Sequence, residues 1–100
     1  MAVVEFSINP LGTKDTSVSQ YIARAIKVIQ KEKGIKYTLT PMGTVLEGNL
    51  PQLLDLIQRA QEVVFAAGVN RIVTFIKIDD RRDKPTTMEG KLVSLKREMK

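Results

Sequence analysis

The segment Thr38–Gly48, reading TLTPMGTVLEG, places a Pro-Met-Gly break between two short β-prone runs. Lys36–Met42 and Thr44–Gly48 read as strands. Pro41 has no N–H to give to a ladder, which puts its strand at a sheet edge or beside a bulge near the turn. The second run carries an acid, Glu47, among threonine, valine and leucine. A carboxylate on such a strand needs something to offset its desolvation, so Glu47 is the first candidate for a ligand-facing group.

The flanking stretches have other periods. Val3–Pro10 alternates, with Val4, Phe6 and Ile8 on one face and Val3, Glu5, Ser7 and Asn9 on the other. Pro10-Leu11-Gly12 ends it with turn residues. Helical spacing then predicts a helix over Ser17–Lys33, with Ser17 and Gln20 as a capping box and Gly34 as the stop. Val18, Ile22, Ala25 and Ile29 form its buried stripe, widened by Tyr21, Ile26 and Val28.

After the paired strands, Asn49 caps a second helix with Pro51 near its start. It runs to about Ala67, burying Leu53, Leu54, Ile57, Ala60, Val63 and Val64, and Gly68 closes it. Arg71–Asp79 alternates again, with Ile72, Ile76 and Ile78 on one face. Arg71, Val73, Phe75, Lys77 and Asp79 take the other. A charged loop follows, and Thr86 with Glu89 suggests a capping box for a final helix carrying Leu92, Leu95 and Met99.

The order β-α-β-β-α-β plus a terminal helix is an α+β, ferredoxin-like pattern. It predicts one domain over residues 1–100, with two helices covering one side of a four-stranded antiparallel sheet. The bare side then carries Glu5, Ser7, Asn9, Thr38, Thr40, Arg71, Phe75 and Lys77. Glu47 joins it only if the third strand turns Val45 and Glu47 outward; the opposite phase, with Thr44 and Leu46 outward, stays open because one step of register reverses every side chain. Val3, Val45, Val73 and Phe75 among those polar groups make a mosaic that points to packing against another subunit.

Composition narrows the chemistry. With neither cysteine nor histidine, the chain cannot build a disulfide, a thiolate or imidazole metal site, or a histidine-activated nucleophile. The Asp79-Asp80-Arg81-Arg82-Asp83 run could hold a hard cation, but alternating charge in a loop is usually self-neutralising. No metal or cofactor is expected. The net charge of +5 is spread over helix ends and the C-terminus, with no arginine-rich arm or aromatic RNA-binding strand motif, which argues against nucleic acid as a partner. No apolar run approaches a membrane span and the N-terminus is not that of a signal peptide, so the expected location is cytoplasmic.

Three stretches carry a resemblance: Ser7-Ile8-Asn9-Pro10-Leu11-Gly12, the Thr38–Gly48 segment, and Arg71-Ile72 through Lys77-Ile78-Asp79-Asp80-Arg81. Together, and in this order, they resemble the small thiamine-binding (YkoF-like) proteins over nearly the whole chain. The resemblance implies a ferredoxin-like protomer in dimers or tetramers through the open sheet face and edge strands. It also implies non-catalytic binding of thiamine or its hydroxymethylpyrimidine half. The residues carried over are Ser7 and Asn9, Thr44 and Glu47, and Asp79. An aminopyrimidine offers an amine donor and ring nitrogens, which a carboxylate such as Glu47 and hydroxyl or amide groups could meet. The alternative is a structural or regulatory homo-oligomer with no small-molecule role.

Overall fold

The computed structural model describes residues 1–14, 18–85 and 87–100. The element order is β1 (Ala2–Leu11), α1 (Ser19–Lys31), β2 (Lys36–Thr40), β3 (Gly43–Gly48), α2 (Leu50–Ala66), β4 (Arg71–Asp79) and α3 (Met88–Glu98). The strands form one antiparallel sheet in the order β2-β3-β1-β4. This is the ferredoxin-like α+β arrangement, and β2, which leads into Pro41, lies at an edge as proline chemistry requires.

The apolar face of β1 supplies Val4, Phe6 and Ile8 to the core. They meet Leu46 of β3, Ala25 and Ile29 of α1, and Leu53, Leu56, Ile57, Ala60 and Val64 of α2. Leu56 is fully buried and Leu54 is 37% exposed. The inward stripe of α2 therefore runs 53, 56, 57, 60 and 64, and Leu54 lies one residue off it. Val63 is only partly buried.

Strand register settles the phase of β3. Val4 stands opposite Leu46 and Phe6 opposite Thr44, whereas Val3 stands opposite Glu47 and Glu5 opposite Val45. Side chains on directly opposed residues share a face. Leu46 and Thr44 thus point to α1 and α2, and Val45 and Glu47 to the other side. The same rule places Asp79, Lys77, Phe75, Val73 and Arg71 beside Val3, Glu5, Ser7, Asn9 and Leu11 on that second face.

The ends of the elements are set locally. Val18 is the N-cap of α1 and makes no side-chain cap bond; the proposed Ser17 cap lies outside the described residues. Gly34 and Gly68 follow α1 and α2 with φ of 82° and 101°, the left-handed conformation that favours glycine. Asn49 is the N-cap of α2 by position, with Pro51 in the first turn, but its side chain does not close the cap. Thr86 also lies outside the described residues, and α3 is capped by Thr87, whose Oγ1 accepts from Gly90 N at 2.9 Å.

The second face is not bare throughout. Val3 is 8% exposed and Glu47 3%, because α3 is fastened beside them. Val45 and Val73 are half-buried and Phe75 stays open at 64%. The exposed mosaic is therefore smaller than the alternation implied, and its large apolar member is Phe75. No residue of α3 itself is buried, and the molecule is elongated, 46 × 29 × 20 Å. No helix among the described residues is long and apolar enough to cross a membrane.

Candidate functional site

β1 has ten residues and β3 six, and that mismatch makes a cavity. The β1–β3 ladder ends at Phe6–Thr44, while β1 continues with β4 as far as Leu11–Arg71. Ile8 to Leu11 consequently have a strand neighbour on the β4 side alone, while Ser7 still has Gly43 beside it. An ideal Cβ on Gly43 would lie 2.8 Å from the Phe6 carbonyl oxygen, so that carbonyl faces β3. By strand alternation, Ile8 turns its own N–H and C=O to the same side, where β3 has already ended.

A cavity of about 280 Å³ occupies this gap. Ser7, Asn9, Thr40 and Thr44 line it, Thr44 from the α1 side and the other three from positions whose side chains turn to the second face, while Val18, Ile22, Ile26 and Leu39 supply apolar walls. Val18, Ile22, Ile26 and Leu39 also line a wider groove that runs along α1 past Ala23, Lys27 and Gln30. A flat ring with hydrogen-bonding edges suits such a place, since apolar walls provide contact area and a few polar groups set orientation.

The polar groups are held by local chemistry. Asn9 Nδ2 donates to Val73 O at 3.1 Å and to Ser7 Oγ at 3.2 Å. The amide nitrogen is turned toward β4, and the Ser7 hydroxyl, already accepting, keeps its proton for another partner. Thr40 Oγ1 donates to Gly43 O at 2.8 Å and accepts from Met42 N at 3.3 Å, which pins the β2–β3 turn at the cavity rim. Thr44 is 5% exposed, on the helix-facing side beside Phe6.

The five residues singled out from sequence fall into two groups. Ser7, Asn9 and Thr44 line the cavity. Glu47 and Asp79 both stand opposite Val3, at the other end of β1. Three to six strand residues separate the groups, roughly 10–20 Å.

At that far end both acids engage α3. Glu47 Oε1 accepts from the backbone N–H of Met88 at 2.9 Å, and Asp79 Oδ2 is paired with Lys91 Nζ. A carboxylate on the first N–H of a helix satisfies an otherwise unpaired donor and complements the positive end of the helix dipole. This contact offsets the burial cost that made Glu47 conspicuous.

The remaining acids of the loop also have basic partners. Arg81 bonds Asp83 through two nitrogens at 2.6 and 2.9 Å, and Arg82 reaches Asp80 at 3.3 Å. The hydrogen bond from Arg81 holds the Asp83 carboxyl below the usual aspartate range, and Asp83 raises Arg81 in turn.

Ile22, Ile26, Leu39 and Thr40 also line the cavity and were not among the residues singled out from sequence; the isoleucines pack against the core and register puts Thr40 on the second face, both as expected. Leu39 on β2 and Thr44 on β3 are opposed, so the hairpin delivers both to the α1 side of the gap. The unequal strand lengths were the available signal.

Comparison with known proteins bears on this geometry. The family model described as "Thiamine-binding protein" matches residues 4–96. The UPF0045 protein YqgV of Bacillus subtilis is 45% identical over 99% of this chain and 98% of its own. The crystal structure of the hypothetical protein MJ1052 of Methanocaldococcus jannaschii superposes with a TM-score of 0.86 at 44% identity, covering 94% of each chain. A Thermotoga maritima protein named for thiamine biosynthesis or salvage has a TM-score of 0.77 at 24% identity, covering 94% of this chain and 97% of its own, and shares the fold. With nearly its whole length matched by the family model and by relatives of this similarity, the chain belongs to the thiamine-binding protein family.

Proposed function

We propose that this chain is a non-catalytic binding protein for thiamine or its hydroxymethylpyrimidine moiety, with the pyrimidine ring seated in the cavity beside Ser7, Asn9 and Thr44. The observation that carries the reading is the gap itself. A strand end with no β3 partner and the buried Thr44 hydroxyl meet apolar walls from α1 and β2, and Ser7 and Asn9 border the gap from the other face of the sheet. An aminopyrimidine can pair with a strand edge as another peptide would, giving its amine to a carbonyl and taking an N–H at a ring nitrogen. The volume, about 280 Å³, is small for a whole vitamin and ample for one substituted ring. The thiazolium half would continue into the adjoining groove along α1.

Glu47 and Asp79 take a different part in this reading: they hold α3. The absence of histidine and cysteine leaves the cavity without the usual activating partners for catalysis, in keeping with recognition alone. The chain also self-associates in this reading, through the open sheet face. Phe75 is 64% exposed on that face, and Ile76 and Ile78, 44% and 46% exposed on the helix side of the same edge strand, extend the uncovered apolar surface around the edge, a surface that a second subunit would cover. If that surface were the whole purpose of the chain, it would be a structural oligomer with no ligand.

Titration calorimetry with thiamine and with hydroxymethylpyrimidine separates the two readings. The wild type should bind at least the pyrimidine. Thr44→Val, which keeps shape and removes one hydroxyl, should weaken binding by about 1–2 kcal/mol, roughly tenfold. A wild type that gives no heat with either compound would contradict the binding function.

A further inference from the structure

We infer that α3 pairs antiparallel with α3 of a second copy of this chain. Met88, Leu92, Leu95 and Met99 are spaced by four, three and four residues, the repeat that lines one helix face against another. In the protomer Met88 is half-buried and the rest of the stripe has no cover: Leu92, Leu95 and Met99 are 55%, 57% and 74% exposed.

The flanking charges choose both the partner and its direction. Antiparallel pairing that sets Leu92 against the second copy's Leu95 also sets Met88 against its Met99. Beside these layers, Glu89 of each copy meets Lys96 of the other, and Lys91, already paired with Asp79 of its own chain, lies near the other copy's Glu98. Two-fold symmetry repeats each pair, so all four are of opposite sign. Parallel pairing would instead set Lys91 against Lys96, two like charges. The stripe and its borders are therefore self-complementary in one orientation. An anionic membrane fits less well. Seven of the sixteen basic residues lie in residues 81–100, but Glu89 and Glu98 border the apolar stripe where the headgroups would sit.

An 11-residue helix is too short to hold a dimer alone. The pairing adds to the sheet-face association proposed above, on which it rests, and fixes how two copies are oriented. Glu89 and Lys96 make no hydrogen bond or ion pair within the described protomer, so exchanging them disturbs no internal contact.

Sedimentation velocity over a concentration series tests this with the whole chain as wild type, Glu89→Lys, Lys96→Glu and the double exchange. Each single change places like charges in two symmetric positions and should weaken self-association about tenfold. The double exchange should restore it. Lost helix-dipole interactions are largest in the double variant, so its recovery reports pairing and not helicity. A self-associating wild type with unchanged singles, or a double variant weaker than both singles, overturns the pairing and leaves the sheet-face contact standing. A wild type monomeric at every concentration overturns both. Binding to phosphatidylserine vesicles without charge-dependent self-association would assign the stripe to a membrane and overturn the pairing.

Discussion

Glu47 on β3 and Met88 at the start of α3, 41 residues apart in sequence, are joined by a 2.9 Å bond from the Met88 amide to Glu47 Oε1. The carboxylate is 3% exposed, and the helix it meets has no buried residue of its own. With so little packing under α3, this bond and the Asp79–Lys91 pair are what locate the helix on the sheet. Glu47→Ala should cost about 1–3 kcal/mol in urea unfolding, the range for hydrogen bonds to charged groups. Glu47→Gln, which keeps an acceptor, should cost less. Amide exchange at Met88 should accelerate in Glu47→Ala while exchange in β1 responds only to the change in global stability.

Gly43 has a steric reason to be glycine, since a Cβ there would approach the Phe6 carbonyl oxygen to 2.8 Å. Both are main-chain groups of paired strands, so neither can swing aside. Gly43→Ala should destabilise by about 1–3 kcal/mol as the turn is pushed from β1. The same displacement opens the cavity rim, so ligand affinity should fall as well. Thermal unfolding and calorimetry on one variant check both effects.

The order of elements was legible because each has its own period, and the glycine stops at Gly34 and Gly68 read directly as helix ends. The phase of β3 was not legible. Thr44 and Glu47 are both buried yet lie on opposite faces, one under the α1–α2 layer and one beside α3. Burial on both sides erases the alternation that normally reveals phase. The position of α3 was hidden for a related reason, since its anchors are one backbone N–H and one lysine. The cavity depended on β3 stopping short of the end of β1, a register fact. The residues nearest it (Ser7, Asn9 and Thr44) were picked out, and Glu47 and Asp79 were grouped with them only because sequence cannot show that they occupy the other end of the strand.

Leu54 and Leu56 separate a correct helical stripe from one drawn a residue off. Leu56→Ala empties a fully buried position and should cost about 2–5 kcal/mol. Leu54, 37% exposed, should cost well under half as much when changed to alanine. Denaturant midpoints of the two variants make the comparison.

Asp83 should titrate below an ordinary aspartate because Arg81 donates two hydrogen bonds to it. A carboxylate lowered in the folded chain contributes order above its unfolded pKa, and that contribution is lost as pH falls through the lower folded value. The pair is at the surface, so salt should weaken it. Carboxyl chemical shifts of Asp83 followed with pH should show a midpoint that rises toward the ordinary value in Arg81→Gln or in high salt.

Mapping amide chemical shifts during titration with hydroxymethylpyrimidine tests the central claim most directly, because the two ends of β1 are separately assigned. Binding in the gap predicts changes concentrated at Ser7–Asn9, Ile22, Ile26 and Thr40–Thr44, with Glu47, Asp79 and Met88 still. Changes centred on Glu47, Asp79 and Met88, or none at saturating ligand, would contradict it.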